Sequence, residues 1–329
     1  METVLSGIRP TGNLHLGNYY GALVNFIKMQ EENNCFFFIA DWHSLTTHPD
    51  PKMLHENVRN VLSEYLAAGL DPDKATIYLQ SDVKEIAELY LLLNMHAYLG
   101  ELAKTVSFKE KARQNPHNVN AGLLTYPVLQ AADILIHKAL KVPVGKDQEQ
   151  HLEMTRNYAK RFNSKYGVDF FPEPTAYNFG SELIKIPGLD GSGKMGKSEG
   201  NCIYLHDDAK TIEKKVKKAL TDQGPTEPNQ VKPDYIENLF TILRVVSKPE
   251  VVAYFEEKWN TCGIRYGDLK KQLAEDIIAV TTPIRERIIN IRSDNECLRK
   301  VITEGAGKAR ESASKTIKDV REIMGFKAF

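Results

Sequence analysis

Little in this chain marks it for export, for a membrane or for a metal. Cysteine is scarce, with four in 329 residues, at 35, 202, 262 and 297. They stand apart, with no Cys-x-x-Cys and no histidine pair beside them, so the spacing suggests neither a zinc site nor a disulfide framework. Scattered thiols of this kind are expected of a reducing cytoplasm. Long apolar runs are missing too: the most obvious one, Cys35 to Ala40, falls far short of the ~20 residues that a spanning helix needs. The start, Met1-Glu2-Thr3-Val4, has no basic stretch leading into an apolar core, so no secretory signal is read there. Net charge is absent as well, since 43 Lys and Arg balance 43 Asp and Glu.

A zero sum hides local fields. Residues 210–218 hold five lysines against one glutamate, and residues 298–329 hold eight Lys or Arg against four acids. Each stretch either faces phosphates or is a solvated helix face.

What is present is an ordinary globular composition, 42% hydrophobic and 26% charged, in a chain long enough for one large core and a smaller satellite. In the first half, short apolar segments at Thr3–Ser6, Cys35–Asp41, Ala75–Ser81 and Lys141–Gly145 alternate with helix-like stretches. One such stretch carries Met53, Leu54, Val58, Val61, Leu62, Tyr65 and Leu66 on one face and stops at Gly69. This is the βαβ pattern of an α/β fold with a parallel sheet. After about residue 205 helical periodicity takes over, as in Ala309, Ala313, Ile317, Val320 and Met324, with Gly325 ending the last helix. The second domain is therefore predicted to be α-helical.

Four segments carry chemistry. The first strand runs into Thr11-Gly12-Asn13-Leu14-His15-Leu16-Gly17-Asn18, where ligands of an open parallel sheet collect beside helix N-termini. Gly12 and Gly17 would let a phosphate approach the backbone, and His15 and Asn18 could donate to it; the same residues could simply make a turn and cap a helix. The segment is not Gly-x-Gly-x-x-Gly, which leaves a nicotinamide cofactor without support.

The second segment, Gly191-Ser192-Gly193-Lys194-Met195-Gly196-Lys197-Ser198, matches the P-loop pattern letter for letter, the signature of a kinase or NTPase. A P-loop needs a helix beginning at its Lys-Ser, whereas Glu199-Gly200-Asn201 reads as continued turn. The stretch Pro187 to Gly200 reads instead as a mobile lysine loop that closes over a triphosphate held elsewhere.

The third is Val142-Pro143-Val144-Gly145-Lys146-Asp147-Gln148, a strand and glycine turn leading into a helix. Asp147 and Gln148 sit at the helix start, either as an N-cap or as contacts to a ribose or amino group. The fourth is the run Tyr126 to His137, which buries Asp133 in an apolar helix. A buried carboxylate needs a partner, from the protein or from a substrate N–H or O–H. Histidines 43, 48 and 55 lack the spacing of a metal site, and His43 is singled out only for its place just past the second strand.

Together, His15-Leu16-Gly17-Asn18 and Lys194-Met195-Gly196-Lys197-Ser198 resemble the HIGH and KMSKS elements of class I aminoacyl-tRNA synthetases, in that order along the chain. The opening Ser6 to Gly12 and the segments Tyr126–Asp133 and Val142–Arg156 resemble the bacterial tryptophanyl-tRNA synthetases in particular, and the resemblance extends over essentially the whole chain. It implies a Rossmann-like catalytic domain over 1–186 with helices on both faces, the lysine loop over 187–202, and a helical anticodon-binding region over 203–329 whose last helix packs back on the catalytic domain.

The resemblance further implies activation of L-tryptophan by Mg2+-ATP and its transfer to tRNA(Trp) by a cytoplasmic homodimer. Tyrosyl-tRNA synthetase, which shares the fold, is the alternative. Arg9, Pro10, Thr11, Gly17, Asn18, Gly145, Lys146, Asp147, Lys185, Ile186, Lys194, Met195, Gly196, Lys197 and Ser198 are implied to contact ATP, with His15, Asn18, Lys194, Lys197 and Ser198 carrying catalysis. Asp133 would accept from the indole N–H, Tyr126 and Gln148 would take the ammonium, and Leu5, His43, Gln130, Val142 and Val144 would line the side-chain pocket. Three departures stand out. Gly196 replaces the middle serine of KMSKS, and Gln130 and Leu5 stand where the family often has methionine and phenylalanine.

Overall fold

The computed structural model describes residues 1–145, 148–177 and 185–326. Its centre is a five-stranded, wholly parallel sheet of β1 (Thr3–Ile8), β2 (Asn34–Ile39), β3 (Ala75–Leu79), β4 (Lys141–Val142) and β5 (Thr175–Ala176), in the order β3-β2-β1-β4-β5. The chain winds outward from β1 to β3, then crosses back to lay β4 on the other side of β1. The C-terminal ends of β1 and β4 therefore diverge around a crevice, the place where doubly wound sheets bind ligands.

Helices cover the sheet: α1 (Leu16–Asn18), α2 (Val24–Met29), α3 (Asp41–Ser44), α4 (Pro51–Ala68), α5 (Glu85–Asn94), α6 (Leu99–Leu102), α7 (Val106–Gln114), α8 (Ala121–Ile136) and α9 (Glu149–Tyr166). Five more follow, α10 (Ala209–Lys217), α11 (Asp234–Val246), α12 (Pro249–Asn260), α13 (Tyr266–Ser293) and α14 (Asn295–Ile323).

Alternation along the strands divides the core in two. Cys35, Phe37 and Ile39 face one hydrophobic cluster while Phe36, Phe38 and Ala40 face the other, as the period of two requires. The first cluster runs on without a break into Leu239, Phe240, Leu269 and Ile277 of the helical region. α14 wraps the sheet edge: Leu298 and Val301 belong to the first cluster, Ala309, Ala313, Ile317 and Val320 to the second. Between them Gly305 lies against the backbone of β3, where an added Cβ would come 1.8 Å from the Ile77 carbonyl oxygen. The helix thus covers an edge strand that would otherwise be open to pairing.

Local signals explain most boundaries. In α4 the Asp50 side chain accepts from the N–H groups of Lys52 and Met53, Pro51 opens the helix, and Gly69 at φ 121 closes it. Some expectations need correction. Met53 is exposed rather than on the packed face, and the helix after the first strand begins at Leu16 rather than Tyr19. The last strand was not foreseen, because two residues of threonine and alanine carry no apolar run. The expected strand through Gly145 ends at Val142, since Pro143 has no N–H to continue a ladder.

Candidate active site

A cavity of about 380 Å³ opens at the crevice between β1 and β4. Leu5 and Arg9 enter it from β1 and its end, and Val142, Val144 and Gly145 from β4 and the following turn. Tyr126, Gln130 and Asp133, at i, i+4 and i+7 of α8, present one face of that helix to it. His43 and Gln148 complete the wall. Every residue expected to line the side-chain pocket or hold the ammonium is therefore part of this cavity.

Asp133 is wholly buried at the cavity wall. Its Oδ2 lies 2.8 Å from Nε2 of His43, and Nε2 of Gln80 donates to Oδ1 at 2.8 Å and Oδ2 at 3.0 Å. Burial raises its pKa, and the hydrogen bonds from His43 and Gln80 oppose that rise. A carboxylate can only accept, so His43 must present its Nε2 proton. These bonds leave acceptor capacity on Asp133 for one further donor from the cavity. Gln80 was not foreseen; its signal was a polar residue directly after the apolar run of β3.

Toward the mouth, Tyr126 Oη lies 2.8 Å from Nε2 of His151, whose Nδ1 lies 2.9 Å from Oε1 of Gln148. The amide oxygen can only accept, so His151 carries a proton on Nδ1. Ser107 Oγ also reaches Nε2, at 2.8 Å. One turn on from Ser107, Lys111 sets its ammonium 4.4 Å from the centre of the Tyr126 ring. Burial lowers the pKa of Lys111, with the nearby Arg9 adding to it, and burial likewise lowers that of Arg9. A cationic pair thus sits at one wall of a largely apolar cavity. Lys111 and His151 were assigned no role from sequence, since what matters in each is its partner.

The turn after Arg9 continues directly from the cavity. The Thr11 N–H bonds back to the Arg9 carbonyl, Pro10 is buried, and Gly12 takes φ 113, which a side chain would resist. The His15 N–H donates to Asn18 Oδ1 at 3.1 Å, so Asn18 fixes the start of α1. From Leu16 the helix runs through a π-helical turn at Tyr19–Leu23, which brings Gly21 and Ala22 to the cavity. Burial, then Lys197 and Lys194, push the His15 imidazole down to about 4, so it is neutral at pH 7. Its Nδ1 is buried without a partner among the described residues.

The lysine loop folds onto this turn. Lys197 Nζ donates to the Gly12 carbonyl at 2.9 Å and lies 3.5 Å from Thr11 Oγ1. Met195 is buried with its Cβ near Gly17, and its N–H donates to the carbonyl of Ile186. Asn201 organises the loop: its amide donates to Asp190, Ser192 and the Lys194 carbonyl, and its Oδ1 accepts from the Gly196 N–H at 2.8 Å. Lys194, Lys185 and Ser198 are exposed, and the Ser198 hydroxyl donates to Glu199. Lys146 and Asp147 lie outside the described residues. Helix α9 begins at Glu149 with Gln148 as its N-cap residue.

No helix starts at Lys197-Ser198; residues 197–200 form a turn, and the next helix begins at Ala209. The letters of a P-loop are there without its backbone.

Residues 2–282 match the family model described as tRNA synthetases class I (W and Y). A tryptophan–tRNA ligase of Porphyromonas gingivalis is 67% identical over 99% of this chain and 100% of its own length. One of Caulobacter vibrioides is 42% identical over 98% of this chain and 95% of its own. A crystal structure of tryptophanyl-tRNA synthetase from Campylobacter jejuni, complexed with ADP and tryptophan, superposes with a TM-score of 0.87 at 34% identity, covering 98% of this chain and 99% of the other.

Proposed function

Because the chain belongs to the class I tRNA synthetases of the tryptophan and tyrosine family, we propose that the β1/β4 cavity is its amino-acid site and that the Arg9–Asn18 turn with the lysine loop is its ATP site. The reaction is activation of L-tryptophan by ATP to tryptophanyl-adenylate, followed by transfer to tRNA(Trp).

The observation that carries the site assignment is the 2.9 Å bond from Lys197 to Gly12, which joins the two motifs at the edge of the cavity. Asp133, held by His43 and Gln80, accepts the indole N–H. Tyr126 and Gln148, tied through His151, receive the ammonium. The tryptophan carboxylate attacks the α-phosphorus and pyrophosphate departs, so no general base is needed and positioning and charge stabilisation dominate. Lys194, Lys197, Arg9 and Lys111 supply the positive charge. Neutral His15 donates rather than titrates. The adenylate then passes its acyl group to a terminal ribose hydroxyl of the tRNA.

Among the described residues no group of three His, Cys, Asp or Glu side chains could hold a metal ion. Magnesium would arrive on the triphosphate and neutralise part of its charge. For tRNA, the exposed lysines 210, 214, 217 and 218 on and beside α10 offer phosphate contacts. For a homodimer, Leu91, Met95, Tyr98, Leu99 and Val106 form an exposed apolar stretch from α5 to α7. No described helix is long and apolar enough to cross a membrane. A cytoplasmic location accords with the tRNA substrate.

Amino-acid-dependent exchange of pyrophosphate into ATP tests the reading: tryptophan alone should support it. Exchange with tyrosine instead, or none with either, would overturn it. Light scattering at twice the mass of one chain is expected for the dimer.

A further inference from the structure

Glu64, on α4, is fully buried, yet its carboxylate is not part of the cavity. One oxygen, Oε2, accepts the backbone N–H of Leu14 at 2.7 Å, in the middle of the nucleotide turn. The other, Oε1, accepts from Nη2 of Arg292 at 2.9 Å. The same Nη2 donates to Oδ1 of Asn13 at 2.7 Å. Arg292 belongs to the last turn of α13, and its own carbonyl accepts from Arg59, one turn before Glu64 on α4. His206 Nδ1 stands 3.9 Å from Oε1. Two consecutive residues of the turn are thus gripped by one ion pair whose cation comes from the helical region.

We propose that Glu64 and Arg292 are positioning residues that set where the Gly12–Leu14 backbone stands relative to the ATP phosphates and to Lys197, so that the helical region completes the ATP seat. This rests on the reading of that turn as the ATP site. A plain structural tie would only join α13 to α4 side chain to side chain; this pair does that and also holds a main-chain N–H and the Asn13 amide of the glycine turn. The next residue back, Gly12, carries the carbonyl that Lys197 grips. A shift of Leu14 is therefore passed to Lys197 through two residues of backbone. Burial pushes the Glu64 carboxyl up to about 7, against the opposing pull of the Leu14 N–H, Arg292 and Lys197.

The test is steady-state pyrophosphate exchange by the full chain with ATP and tryptophan varied separately. Arg292→Met should lower kcat/KM for ATP about tenfold, a loss of one well-placed interaction, with KM for tryptophan moving less than about twofold. Arg292→Lys restores the charge without reaching both partners and should recover part of the loss. Glu64→Gln keeps an acceptor for the Leu14 N–H, removes the charge, and should repeat the ATP-selective fall. The proposal is overturned if the variants melt earlier yet keep both kinetic constants, or if ATP and tryptophan constants fall together. An unmodified chain without tryptophan-dependent exchange would sink the functional reading first, and this one with it.

Discussion

The ammonium of Lys197 rests 2.9 Å from the carbonyl oxygen of Gly12, a contact between residues 185 positions apart. It joins the lysine loop to the glycine turn. In the proposed ATP site that ammonium would exchange the carbonyl for phosphate oxygens. Its largest effect is then expected where charge grows, on the departing pyrophosphate.

Lys197→Ala should slow adenylate formation by about 10²–10³, the range for losing one preorganised donor to a transition state. The dissociation constant of ATP should change by less than about threefold. Rapid-quench single turnovers read both, and a defect confined to ATP affinity would remove Lys197 from the chemical step.

Asp133→Asn keeps the shape of the site but turns part of an acceptor into a donor facing Gln80 and His43. KM for tryptophan should rise at least about tenfold, with KM for ATP little changed. The unmodified chain should also reject a tryptophan analogue whose indole N–H is replaced by sulfur, and Asp133→Asn should narrow that preference. Equal preference in both proteins would show that Asp133 does not read the N–H.

His137 supplies a pH test away from the proposed chemistry. It is buried, stacked on Phe36 at 4.3 Å and placed between Tyr78 and Ser312, and burial pushes its imidazole down to about 3. Since the unfolded value is near 6.5, the unfolded chain binds the extra proton first. The stability that neutral His137 contributes is present above that value and is lost as pH falls toward the folded one. Between about pH 6 and 4.5 the unfolding free energy should drop about 1.4 kcal/mol per pH unit more steeply than in His137→Phe. Parallel pH curves in urea titrations would refute the assignment.

Two glycines of α14 should respond in opposite ways. Gly305→Ala drives a methyl into the Ile77 carbonyl and should cost about 3 kcal/mol, whereas Gly307, with open space around its Cβ position, should gain about 0.5–1 kcal/mol from the same change. Chemical denaturation of both variants checks this. Similar effects at the two sites would mean that α14 does not rest on the edge of the sheet.

How much was legible follows from how far each signal reaches. The apolar runs of β1 to β3, the amphipathic stripe of α14 and the stop at Gly69 are local patterns, so the parallel α/β core and the helical second half could be read from the chain. The glycine-histidine turn and the lysine segment were legible as motifs, as was Asp133, because a charge inside an apolar helical run asks for a partner. Which partner it has was not legible. Gln80 and His43 meet Asp133 only once β3 and α3 lie beside α8, and Lys111 becomes a cavity residue only because α7 folds over Tyr126. Strand β5 escaped notice because two exposed residues become a strand only through the ladder that β4 offers. Glu64 and Arg292, 228 residues apart, read singly as ordinary charges on helix faces. Periodicity and turn chemistry act over a few residues and are written in order along the chain. Ion pairs, cavity walls and the seat of a backbone N–H depend on which distant segments burial brings together, and that is decided only by tertiary packing.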